Sequence, residues 1–201
     1  TLTDGSYTVT GTAEAFEAVK IKGNVTLTMD NAKINLGTAL DYALPAVSIE
    51  SGDVNLFLSG SNEVQGGLGH AGIYVAEGAK LTISGDGSLL AVGGNGSRVV
   101  TLPPNMQSAS STRAYFGGGA GIGGNGLWIY SNDTWLPDST PSFGTVVIES
   151  GDVAAQGGKA EISNAGAGAG IGSGGGSSQN NIDYKISGAI NINGGTVNAV
   201  G

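Results

Sequence analysis

The chain has 201 residues, of which 38 are glycine, 8 are Lys or Arg, 16 are Asp or Glu, one is His and none is Cys. Eight cations in a chain of net charge −8 leave no basic footprint for nucleic acid, and the lack of Cys excludes disulfides, Cys metal sites and Cys nucleophiles. No apolar run reaches the roughly 20 residues that span a bilayer, yet the aliphatic content is enough to build a core.

In chain order, residues 1–24 read as an N-terminal cap or first coil. The start at Thr1, without Met, reads as a mature segment or a domain of a larger secreted protein. The stretch from Ala13 to Val19 has the only helical character and would cover an open sheet edge. Val25-Thr26-Leu27-Thr28-Met29 alternates with period two, which places Val25, Leu27 and Met29 on one strand face. Val54–Leu58 and Ile190–Asn193 repeat that pattern. Thr-x-Thr pairs at Thr1, Thr8 and Thr26 resemble the rows of ice-binding solenoids but do not continue down the chain, so outward strand threonines explain them better.

Internal repeats set the expected architecture. Ile49-Glu50-Ser51-Gly52-Asp53-Val54 recurs letter for letter at Ile148–Val153, with variants near Gly78 and Gly195. The triplet Ala-Gly-Ile occurs at 71, 120 and 169, spaced 49 residues apart both times, a less persuasive repeat because the insertions between its copies fall in different places. Short strands with one buried face need neighbours to bury it, which is the logic of stacked repeats. The sequence therefore predicts an all-β, single-stranded right-handed parallel β-helix (a solenoid) with loop insertions, as one domain over 1–201. A β-sandwich is the competing architecture.

Three insertions interrupt the repeats, at about 95–119, 126–143 and 173–185. Both arginines, Arg98 and Arg113, and both tryptophans, Trp128 and Trp135, fall in the first two. Aromatic rings stack on the apolar faces of sugars, and an Arg fork matches carboxylates and hydroxyls. Trp128, Tyr130, Trp135 and Tyr115 are therefore the expected stacking residues. Arg98 and Arg113 are the expected cations, with Asp133 and Asp138 as acceptors. The bland alternative is that these side chains pin long loops to the body.

Other motifs carry less. Gly119–Gly124 satisfies G-x-G-x-x-G, but no helix follows, so it reads as a turn and not as a dinucleotide site. Asp53 and Asp152 open equivalent turns. They are either solvated turn carboxylates or ligands of a Ca²⁺ ion, the one cofactor the sequence suggests. His70, the single histidine, reads as a structural or exposed residue. No carboxylate pair stands out for glycoside hydrolysis, and Lys33, Lys80 and the arginines are the available bases for a lyase.

Val25–Asn31, Gly78–Gly85, Gly117–Gly124 and Ile190–Val200 together resemble the "carbohydrate-binding domain-containing" β-helix proteins on the surface of clostridia and gut Firmicutes. The resemblance implies a right-handed parallel β-helix, extracellular or cell-surface display and affinity for plant-wall polysaccharides such as cellulose or pectate, with Ca²⁺ in some members. It covers most of the chain except the two large insertions and assigns no binding residue. The resulting expectation is a non-enzymatic polysaccharide-binding domain, free of membrane insertion and with ends open to end-to-end self-association. The alternatives are a structural or adhesin stalk, and a polysaccharide lyase or glycoside hydrolase.

Overall fold

A computed structural model describes residues 1–14, 18–37, 44–99, 114–126, 128–130, 141–161, 165–176 and 186–201. These form eighteen strands. The first nine are β1 (Gly5–Glu14), β2 (Val19–Lys22), β3 (Val25–Asn35), β4 (Val47–Ser51), β5 (Asp53–Ser59), β6 (Ser61–Gln65), β7 (Ile73–Val75), β8 (Lys80–Gly85) and β9 (Ser88–Val92). The rest are β10 (Arg98–Val99), β11 (Ala114–Phe116), β12 (Ile122–Gly123), β13 (Trp128–Tyr130), β14 (Thr145–Ile148), β15 (Asp152–Gln156), β16 (Ile171–Gly172), β17 (Ala189–Ile192) and β18 (Thr196–Val200).

They assemble into three sheets. A ten-stranded parallel sheet runs β17-β14-β8-β5-β3-β6-β9-β15-β18, with β1 also on β3. A five-stranded parallel sheet runs β16-β12-β7-β4-β2, and β10-β11-β13 form a small antiparallel sheet. The core lies along in-register apolar ladders. Val25, Val54, Leu81, Val146 and Ile190 make one; Leu27, Leu56, Ile83, Ile148 and Ile192 make the next. Apart from the two β17 residues, these are buried, and each such side chain contributes roughly 1.5–3 kcal/mol on burial.

The expected single-stranded right-handed parallel β-helix is overturned by this sheet order. The reason lies in β3. Its 11 residues keep pairing through the bend at Asn31 (φ 51°), first with β5 and then with β6. The strands on either side of this bend thereby join one curled sheet. The antiparallel β10-β11-β13 sheet is a second departure from a uniform parallel winding. The identical hexapeptides are not structurally equivalent either. Ile49 pairs with Ile21 and Val75 in the five-stranded sheet, whereas Ile148 pairs with Ile83 and Ile192 in the ten-stranded one.

The helical cap expected over Ala13–Val19 is also corrected where the residues are described. Ala13 and Glu14 are strand, paired with Ile34 and Asn35, and Val19 begins β2. The insertions prove shorter than expected at their ends. Gly117–Gly119 pack into the glycine-rich body, and Phe143 joins the hydrophobic core.

Glycine has a positional reason here. His70 O accepts from Gly94 N (2.8 Å), Gly94 O from Gly119 N (2.9 Å), Gly119 O from Gly158 N (2.8 Å) and Gly158 O from Gly168 N (2.9 Å). Backbone packs on backbone along this spine. A Cβ on Gly94 would strike the Gly67 carbonyl, and one on Gly158 would strike the Gly94 carbonyl. Only a residue without a side chain permits that approach.

Candidate functional site

The antiparallel sheet gathers four of the eight expected ligand-binding residues. Arg98 lies opposite Tyr115, Tyr115 opposite Ile129, Phe116 opposite Trp128 and Ala114 opposite Tyr130. Opposed residues share a sheet face and alternate residues repeat it. Phe116, Trp128 and Tyr130 are therefore at matching register positions, and Arg98 with Tyr115 at the alternate ones. Three segments separated by up to thirty residues meet in this patch. Arg113, Asp133, Trp135 and Asp138 lie outside the described residues.

A second surface, which the sequence reading missed, is a shallow groove of about 220 Å³ across β6, β9, β15 and β18. Ser61, Ser88, Asp152 and Thr196 form one row in register. Beside them run Glu63, Leu90, Ala154 and Asn198. The small Ala154 between Leu90 and Asn198 makes the depression. Leu90 is 39% exposed, an apolar patch rimmed by hydroxyl, carboxylate and amide groups. Its members span 61 to 198, and only register unites them, so no local motif announces the site.

The two acidic turn residues are not brought together. Asp53 opens β5 beside Lys80, with its backbone N–H donating to Asn24 Oδ1 (3.0 Å), whereas Asp152 stands between Ser88 and Thr196. Among the described residues, no three His, Asp or Glu side chains cluster as a metal site would require. Three lysines outside the insertions are engaged. Lys33 donates to Glu63 (2.8 Å), and Lys20 and Lys22 both reach Glu50 at 2.5 and 3.0 Å. Partial burial opposes ionisation of Glu50, but the two lysines outweigh it and hold the carboxyl below its usual range.

His70 sits at a glycine corner, with Nδ1 2.8 Å from Leu68 O. A neutral ring with the proton on Nδ1 donates to that carbonyl. Burial pushes its pKa down to about 4, only partly offset by the Leu68 contact. The unfolded chain takes up this proton near 6.5 and the folded one near 4, so stability falls as pH drops through that window and levels off below it. The expected loss is roughly 3 kcal/mol. Denaturant titrations at stepped pH should show it, and His70→Asn, which keeps an N–H toward Leu68, should flatten the slope.

No protein-family model, curated protein or solved structure matches this chain. Among the described residues, no helix is long and apolar enough to cross a membrane.

Proposed function

We propose that this chain is a non-catalytic, surface-displayed module that binds a polysaccharide of the plant-wall type through its antiparallel sheet. The observation supporting this reading is the register that sets Trp128 opposite Phe116, with Tyr130 two residues along. Three aromatic residues in register on one small sheet are of the residue types that stack on the apolar faces of pyranose rings. Arg98, in register with Tyr115 on the same small sheet, adds the residue type that pairs with the carboxylates of a uronic-acid polymer.

The test is pull-down on insoluble cellulose and on cross-linked pectate, each with Ca²⁺ and with EDTA. Saturable binding is expected to one polymer. Trp128→Ala and Tyr130→Ala should each weaken it about tenfold, or about 1.4 kcal/mol, with the thermal transition unmoved. Asp152→Ala, in the groove on the other sheet, should leave it intact. Equal binding by wild type and both aromatic variants, or none by wild type, would sink the reading.

A further inference from the structure

Asparagine followed by glycine is the dipeptide most prone to succinimide formation. Glycine puts no Cβ beside its own nitrogen, and the asparagine Cγ is one five-membered ring away from it. This chain has three such pairs, Asn95-Gly96, Asn125-Gly126 and Asn193-Gly194, and the fold holds them unequally.

Closing the ring requires the side-chain amide to turn over its own backbone. The glycine nitrogen must also give up its acceptor and its proton. Asn95 is held at both ends, Oδ1 accepting from Lys159 N (3.0 Å) and Nδ2 donating to Glu161 (2.8 Å), and Gly96 N donates to Lys159 O at 2.8 Å. Asn125 is buried. Its Oδ1 accepts from Ala71 N (2.9 Å), and Gly126 N donates to Gly69 O at 2.7 Å. Asn193 is held more loosely. Its Nδ2 donates to Glu149 Oε1 (2.9 Å), and among the described residues its Oδ1 accepts from no donor. Gly194 N lies 3.3 Å from Ile148 O, a carbonyl that already accepts from Asn193 N at 2.8 Å. A long bond to a shared acceptor is weak.

We propose that Asn193-Gly194 is a site of spontaneous covalent modification, where the folded chain converts its own asparagine to aspartyl and isoaspartyl forms. Hydroxide takes the proton from Gly194 N, and that nitrogen attacks Asn193 Cγ. The Cγ–Nδ2 bond then breaks, and ammonia leaves with a proton from water, which restores the hydroxide. A second water opens the succinimide at either carbonyl, giving one carboxylate and one main-chain amide; nothing is oxidised or reduced. The product adds a negative charge to a chain of net charge −8. It also sets a carboxylate against Glu149 where an N–H stood, and like charges in contact repel. In the isoaspartyl form the main chain runs through the former side chain and is one methylene longer. That lengthening falls at the corner between β17, registered on β14, and β18, registered on β15.

The test is incubation of the folded chain in mildly alkaline buffer, with ion exchange and peptide mapping to locate each replacement of NH by O. Position 193 should react first, at least about tenfold faster than 95 or 125, because the additional hydrogen bonds at those two must break before their rings close. Its product should include isoaspartate, which direct hydrolysis of the side-chain amide does not give, and the isoaspartyl fraction should melt below the unmodified protein. In urea the three positions should react at similar rates. Asn193→Gln, whose longer side chain would have to close a six-membered ring, should abolish the early acidic species. Equal rates at the three positions in the folded chain would overturn the proposal. So would a folded Asn193 that stays intact while all three react in urea, or an aspartyl product without isoaspartate.

Discussion

Gly94→Ala is expected to be severely damaging, lowering stability by about 3 kcal/mol. The added Cβ meets the Gly67 carbonyl. That carbonyl cannot simply yield, because it already accepts from His70 N at 2.9 Å. Gly94 itself is held on both sides, donating to His70 O and accepting from Gly119 N. Moving it displaces two further links of the glycine spine. In a chain of this size the loss corresponds to a fall in Tm of roughly 6–12 °C, or to no folded protein at all. Gly176→Ala is the matched control. A Cβ there meets no atom of the described residues within 4 Å, and its effect should stay within about 0.5 kcal/mol. Equal melting of the two variants would show that the spine relaxes freely and that glycine is not required there.

The same contacts show what was legible in the sequence. Period-two alternation correctly marks Val25, Leu27 and Met29, and Val54, Leu56 and Leu58, as core, because one buried sheet face forces that pattern. The ranking of the repeats was inverted. The Ala-Gly-Ile triplets place Ile73, Ile122 and Ile171 in one ladder, whereas the identical hexapeptides serve two different bends. A tight turn needs Gly at a positive φ, met by Gly52 at 87° and Gly151 at 95°, and that requirement is blind to which sheets the turn connects. The antiparallel sheet was illegible because strands of two or three residues carry no period. The groove was illegible because its residues occupy the outward, compositionally ordinary positions of four strands.

Asn62 gives the sharpest conflict between pattern and contact. Its ladder continues through Leu89, Val153 and Val197, so repeat consensus recommends Asn62→Leu as a stabilising change. The contacts argue the reverse. Asn62 is 2% exposed; its Oδ1 accepts from Ala32 N (2.9 Å), and its Nδ2 donates to Ser59 O (3.1 Å) and Ser88 O (3.2 Å). One side chain thus ties β3, the β5–β6 corner and β9 together. Leucine would gain about 1.5–3 kcal/mol of apolar burial. It would leave one N–H and two carbonyls facing it, at about 1–3 kcal/mol for each group left unsatisfied. The second effect wins, and a net loss of roughly 2–3 kcal/mol is expected from denaturant titration. Asn62→Asp separates the two roles. Its carboxylate still accepts from Ala32 but faces two carbonyl oxygens, and both burial and that repulsion raise its pKa in the folded state. Relative to wild type, the Asp variant should be least stable near neutrality and recover as acid restores an O–H donor. A pH-independent deficit would mean that the two carbonyl contacts contribute nothing. A leucine variant more stable than wild type would mean that packing outweighs the whole hydrogen-bond set.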